Sequence, residues 1–244
     1  MDPVGYKPGE TSAAPELTVI VPFYNEEASV GPLLEGLRAA VAGLSVAAEV
    51  LAIDDGSRDR TAAELADGAA AWPALKVHRF PANRGQAAAL WWGFQHARGA
   101  WVAVMDGDGQ NPPAELARLW AERDRADMLS GARTNRHDSL LRRLMSRVAN
   151  GVRRGLLRDG MTDSGCALKL FRRDVIGSFL PIRTLYSFLP AFAVSAGWKV
   201  VEIPVGHRPR RAGQSKYGLL VMAYRPLCDT LALCWLLRRR LPRD

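Results

Sequence analysis

Asp106 and Asp108 stand two apart in the run Asp106-Gly107-Asp108-Gly109-Gln110-Asn111-Pro112-Pro113. Alternate positions on an extended turn can aim their oxygens at one point, and Gln110 continues the spacing. Glycines at 107 and 109 let the backbone bend without steric cost. Oxygen donors of this kind suit a hard divalent cation, Mg2+ or Mn2+, which commonly shares its shell with substrate phosphates. His78, His96, His137 and His207 are scattered and form no rival zinc cluster. An Asp-x-Asp pair alone is weak, because many unrelated turns carry one. Two further polar turns strengthen it: Tyr24-Asn25-Glu26 and Asp54-Asp55. Acidic residues also cap helices, which is the plain reading of Asp59.

All three polar turns follow short apolar runs. Residues 17–21 (LTVIV), 49–53 and 101–105 (WVAVM) read as buried strands, with further strands at 75–80 and 127–130. Helical stretches separate them at 28–41, 59–71, 85–98 and 112–126; Thr61 and Glu64 have capping-box spacing. Strands alternating with helices predict an α/β fold with a mostly parallel sheet covered on both faces. Ligands of such sheets sit beyond the carboxyl ends of the strands, so the three polar turns would line one crevice. Residues 1–16 read as a flexible tail without signal-peptide character.

Lys and Arg number 33 against 25 Asp and Glu, a net charge of +8 that favours an anionic partner. Hydrophobic residues at 48% and charged residues at 24% exclude a wholly disordered chain. Three cysteines, without metal-site spacing, fit reduced thiols in a cytosolic setting. No GxxxxGK[ST] loop and no GxGxxG turn occurs, which separates the chain from phosphate-loop hydrolases and dehydrogenases.

Residues 138–158 predict a basic amphipathic helix. Leu144, Met145, Val148, Val152 and Leu156 fall within roughly 60° of Leu141, and Arg143, Arg147, Arg154 and Arg158 lie on the far side. Such a helix rests on an anionic membrane surface or simply covers the domain. The segment 216–244 reads as a second interface helix with a tail. Arg225, Pro226 and Asp229 interrupt it short of the roughly 20 apolar residues a spanning helix needs. Trp235 beside Arg238, Arg239 and Arg240 is the candidate interfacial anchor; Trp91, Trp92, Trp101, Trp120 and Trp198 read as core.

The ordered motifs VPFYNEE (21–27), DDGSRDRT (54–61), NRGQAAA (83–89), DGDGQNPP (106–113) and RRAGQSKY (210–217) resemble family-2 glycosyltransferases of the glycosyltransferase-A fold. With GARTNRHDSLLRR (131–143) and DSGCALKLFRRDV (163–175), the resemblance narrows to the polyprenyl-phosphate type, nearest its undecaprenyl-phosphate branch. It implies a catalytic domain over 17–215. Pro22, Tyr24, Asn25, Glu26 and Gly85 would line the donor pocket, with Asp54 or Asp55 meeting base or ribose. Asp106, Asp108 and Gln110 would hold the cation and the donor diphosphate. Arg133 and Arg147 would meet the acceptor phosphate, and Arg210, Ser215 and Lys216 would close over both phosphates. The implied partners are a nucleoside diphosphate sugar (UDP before GDP), a polyprenyl phosphate and the cytoplasmic face of the cell membrane. Many relatives read Asp-Ala-Asp-Leu-Gln, so the two glycines here suggest a more flexible turn.

A phosphate acceptor, with a second pKa of about 6, is already ionised and needs no general base. A glycan hydroxyl acceptor, the alternative, would need a carboxylate base, for which Asp163 is the candidate. A nucleic-acid-binding reading of the arginine-rich helix leaves the strand-end carboxylates unexplained, so no nucleic-acid partner is expected.

Overall fold

A computed structural model describes residues 14–134, 151, 153–208 and 219–239. Seven strands form one sheet: β1 (Leu17–Phe23), β2 (Ala48–Asp54), β3 (Leu75–Arg79), β4 (Trp101–Val104), β5 (Met128–Arg133), β6 (Lys169–Arg172) and β7 (Val200–Val205). Their order is β3-β2-β1-β4-β6-β5-β7. The β1, β2, β3 and β4 neighbours pair in parallel, as do β5 and β7, whereas β6 runs against both β4 and β5. The expected mostly parallel α/β sheet is therefore present, with one reversed strand. Every strand but β6 ends at the same edge.

The helices are α1 (Glu27–Leu44), α2 (Thr61–Ala71), α3 (Gln86–His96), α4 (Glu115–Ala121), α5 (Leu185–Ser195) and α6 (Leu219–Leu237). They cover the sheet on both faces because strand side chains alternate. Leu17, Val19, Val21 and Phe23 of β1 join the core under α1 and α4. Ile20 points the other way, into the core shared with Leu90 and Phe94 of α3 and Phe188 and Phe192 of α5. Leu233 carries α6 onto that second layer.

Thr61 does not cap α2. Its hydroxyl accepts the Glu26 N–H at 2.8 Å, and the Asp59 carboxylate accepts the Thr61 N–H at 3.0 Å. Asp59 stands one residue before the α2 cap position, Arg60, where no side-chain cap bond forms. The predicted 112–126 helix shortens to α4, followed by a 3-10 turn at Arg123–Arg125. Most of the 138–158 segment, with Arg143 and Arg147, lies outside the described residues; 153–157 is helical. Among the tryptophans read as core, Trp120 is buried and the others are half-buried.

Pro22, expected to line the donor pocket, lies inside β1 and is buried. Proline removes a ladder donor, which a central strand rarely tolerates. Here β4 pairs only with residues 17–20 of β1, and the Met105 N–H is donated to the Ile20 carbonyl at 3.2 Å. Residue 22 follows that ladder's end, so no bond is lost on that side. The turn 106–109 packs over this place. A Cβ on Gly107 would stand 2.5 Å from Phe23 Cδ1 and 2.7 Å from the Pro22 carbonyl. Gly107 is therefore a close-approach glycine, and its lack of a side chain reflects tight packing. Gly109, at φ +72°, sits in the left-handed region that favours glycine.

At the opposite edge, Glu49 is 3% exposed. Its carboxylate accepts from the Thr18 hydroxyl at 2.8 Å, the Arg98 backbone at 3.0 Å and the Arg98 guanidinium at 2.7 and 3.0 Å. Burial pushes this carboxyl up, but the Arg98 and Thr18 bonds outweigh it and hold it below its ordinary value of 4.5.

Two predictions follow from this packing. Gly107→Ala should lower stability by about 1–3 kcal/mol through overpacking. Adding Phe23→Leu should restore only part, because the Pro22 carbonyl contact remains; thermal melts of the three proteins check this. Glu49→Gln should lower stability near neutral pH by roughly 1.5–3 kcal/mol. A depressed carboxyl stabilises fully above its unfolded-state value and loses that contribution as pH falls through the lower folded value. Denaturant curves of native and variant chains should therefore converge as pH falls below 4.5, the ordinary value.

Candidate functional site

The β1 and β2 ends are cross-linked. Asn25 adopts φ +54°, its side-chain oxygen accepts the Arg58 N–H at 2.8 Å, and its own N–H is donated to Ser57 Oγ at 2.9 Å. Glu27 Oε2 accepts the Arg60 N–H at 2.9 Å. These reciprocal bonds fix the Tyr24-Asn25-Glu26 turn over the end of β2. Asn25 is exposed there, and Tyr24 and Glu26 are half-buried.

Asp54 and Asp55, the residues expected to meet base or ribose, are 0% and 2% exposed. Asp54 Oδ1 accepts the Ser57 N–H at 2.9 Å. Its Oδ2 lies 3.0 Å from Arg79 Nε but off the hydrogen-bonding direction, so that contact is an ion pair only. Asp55 accepts the Arg84 N–H at 2.7 Å, the Gly85 N–H at 2.9 Å and Asn83 Nδ2 at 2.8 Å. Burial raises the Asp55 carboxyl above its usual range, the two backbone bonds oppose this, and neighbouring Asp54 adds to the rise. Both aspartates act as latches between loops. Gly85, at φ +91°, turns the chain so that its N–H reaches Asp55 and its carbonyl starts α3.

Asp106 and Asp108 follow β4. Asp106 is half-buried, and its Oδ1 accepts Gln86 Nε2 at 2.6 Å. Asp108 is 6% exposed, and its Oδ1 accepts the Gln110 N–H at 3.0 Å. The Gln110 carbonyl accepts the Arg208 N–H at 2.8 Å, which brings the chain after β7 onto this turn. Arg210, Ser215 and Lys216 come next in sequence and lie outside the described residues, as does Arg147. Among the described residues, no three His, Cys, Asp or Glu side chains are grouped to hold a metal ion. Asp106 and Asp108 still fit a hard divalent cation, since magnesium sites often use one or two carboxylates and take the rest from water and substrate phosphate.

Arg133, at the end of β5, meets Asp163. Its Nε and Nη2 are each donated at 2.7 Å in a bidentate pair, and its backbone N–H joins at 3.1 Å. Glu202 of β7 holds this loop by accepting the Thr162 and Asp163 N–H groups, both at 2.8 Å. Arg153 and Asp159 form a buried ion pair below it. The motifs quoted from the sequence include Gln86 and Lys169 without singling them out, and Glu202 lies outside them. Their signal was position: Gln86 opens α3, Glu202 lies on β7, and Lys169 opens β6.

Residues 18–179 match the family model for Glycosyl transferase family 2. The undecaprenyl-phosphate 4-deoxy-4-formamido-L-arabinose transferase of Edwardsiella ictaluri is 38% identical over 207 residues, covering 84% of this chain and 63% of that protein. The protein of the same name from Aeromonas hydrophila is 40% identical over 207 residues, with the same coverage of 84% and 63%. The chain thus spans less than two thirds of the length of these relatives. Glucosyl-3-phosphoglycerate synthase from Mycobacterium tuberculosis, in complex with Mn2+, uridine diphosphate and phosphoglyceric acid, aligns with a TM-score of 0.71 at 18% identity. That alignment covers 90% of this chain and 78% of the other, and it is a likeness of fold, the glycosyltransferase-A architecture. Fold, motif order and family match agree, and the chain belongs to glycosyl transferase family 2.

Proposed function

We propose that this chain transfers a sugar from a nucleoside diphosphate donor, a UDP-sugar before a GDP-sugar, to a polyprenyl phosphate, with inversion at the anomeric carbon. The observation that carries this reading is the commitment of Asp163 to Arg133 through both carboxylate oxygens. A hydroxyl acceptor needs a base, and the carboxylate nominated for that work is occupied in holding a cation. An acceptor phosphate brings its own ionised oxygen. The names of the two transferases above, at 38% and 40% identity, support the same acceptor class. The uridine diphosphate and Mn2+ bound by the structural neighbour support the donor and cation assignments.

In this mechanism an acceptor phosphate oxygen forms a bond to the anomeric carbon as the bond to the donor diphosphate breaks. The bonding pair leaves on the diphosphate oxygen, and attack from the opposite side inverts the centre. Asp106 and Asp108 would hold a divalent cation, which when bound supplies Lewis-acid neutralisation of the leaving diphosphate. Gln86 orients Asp106, and the Gln110 N–H orients Asp108. Arg133, fixed by Asp163 and through it by Glu202, would meet the acceptor phosphate together with Arg147. Arg210, Ser215 and Lys216 would close over both phosphates from the segment that begins where Arg208 meets Gln110. Tyr24, Asn25 and Glu26 would line the nucleotide side, while Pro22, Asp54, Asp55 and Gly85 set the shape of that wall.

The acceptor is a lipid, so the site must approach a bilayer. Among the described residues no helix is long and apolar enough to cross a membrane. α6 exposes Leu231 at 52% and Trp235 at 58%, and the Arg239 guanidinium stacks 4.4 Å above the Trp235 ring. Apolar side chains beside basic ones suit the head-group zone of an anionic leaflet. The enzyme would rest peripherally on the cytoplasmic face.

Incubation with UDP-sugars and a short polyprenyl phosphate, with and without Mn2+, should yield a lipid-linked sugar only with the cation. Asp108→Asn keeps the shape of the turn and should lower kcat/KM by at least about 100-fold; normal turnover would remove Asp108 from the mechanism. Arg133→Lys keeps the charge but loses the fork. It should raise KM for the lipid phosphate about tenfold and leave donor KM within about twofold. Asp163→Asn should do the same, because Asp163 acts through Arg133. Loss of the acidic limb of the pH–rate profile with unchanged lipid KM would instead make Asp163 a base.

A further inference from the structure

Lys169 opens β6 and is 1% exposed. Because β6 is the reversed strand, its first residue stands at the edge where the other strands end. Lys169 pairs with Val104 of β4 on one side and Ser130 of β5 on the other. Its side chain shares the sheet face of Phe171 and of Ser130, its buried partner on β5. A buried ammonium is costly unless bonded and charge-paired. Nζ is donated to the Cys166 carbonyl, in the loop that carries Asp163. Burial pulls the lysine's pKa down, and Cys166, Asp106 and Asp163 oppose that pull. The small cavity beyond β4 is walled by Gln86, Asp106, Lys169 and Tyr186. Lys169 therefore lines one cavity with Asp106 and is bonded to the loop that holds Arg133. A long thiol contact, Cys166 Sγ to Asn111 Oδ1 at 4.0 Å, also joins these parts.

We propose that Lys169 is a positioning residue whose ammonium ties the β4 carboxylate turn to the 163–168 loop and so sets the donor and acceptor halves of the site relative to one another. The names of those halves rest on the function proposed above; the tie itself rests on the charges and the strand register. Without the ammonium, the 163–168 loop would lose the donor that gathers the Cys166 carbonyl inward.

Lys169→Gln keeps a donor for the Cys166 carbonyl and removes the charge; Lys169→Arg keeps the charge. Amide hydrogen exchange over 163–168 and calorimetric binding of UDP with Mn2+ are the readouts. The glutamine variant should exchange about tenfold faster in that loop and bind UDP–Mn2+ about tenfold more weakly, the size of an ordinary site-to-site coupling. The arginine variant should recover part of both. Asp106→Asn, far from the loop in sequence, should also speed exchange over 163–168. Native exchange in the loop of Asp106→Asn, or of a folded Lys169→Gln, overturns the proposal. If the glutamine variant does not fold, the Asp106→Asn result decides alone. If the native chain binds no UDP, the functional reading fails, while the exchange results still judge the tie.

Discussion

A carboxylate withdrawn from water at the end of β2 organises the nucleotide side of this molecule. Asp55 gathers the Arg84 and Gly85 N–H groups and the Asn83 amide, while Asp54 takes the Ser57 N–H and faces Arg79. A buried acceptor left unbonded costs more than the bond itself returns, so these loops have little freedom to part. The positions of α3, of Gln86 at its start and hence of Asp106 follow from that constraint. A donor approaching this edge meets a wall already assembled.

The two sides of the edge differ in electrostatic character. Between β1 and β4 the polar groups are acidic, with Asp106 and Asp108 on one turn. Between β5 and β7 a guanidinium is held in place by Asp163, and Glu202 supports the loop from β7. The proposed reaction, with phosphate on both partners, would suit this division: a cation would mediate on the acidic side, whereas arginine would serve directly on the other. Arg133 gives up much of its conformational freedom to Asp163 before any ligand arrives, which lowers the entropy lost on binding.

Much of this was legible in the residues. Apolar runs ending in polar turns placed β1, β2, β3 and β4 within a few residues, because a strand buried on both faces leaves a continuous apolar trace. β6 and β7 escaped notice. Lys169-Leu-Phe-Arg is four residues long with charge at both ends, and Val200–Val205 contains Glu202 and Pro204, so neither run reads as a strand. The Asp54-Asp55 pair was read as ligand chemistry when its oxygens serve the backbone; sequence does not distinguish the two, since the same atoms do either. Thr61 and Glu64 had the spacing of a cap, yet the Thr61 hydroxyl was claimed by Glu26 from another loop. Gly107 looked like slack and proved to be contact, because the ring it avoids belongs to Phe23, 84 positions earlier.

The single strand that runs against the others has a further consequence. β6 separates a unit of four parallel strands from a unit of two, and each unit brings its own loops to the common edge. Changes confined to β5 and β7 would leave the bonds between the β1 and β2 loops untouched. An architecture divided in this way lets one donor-handling module be joined to many recipients, so diversification of what receives the sugar can proceed without rebuilding what delivers it.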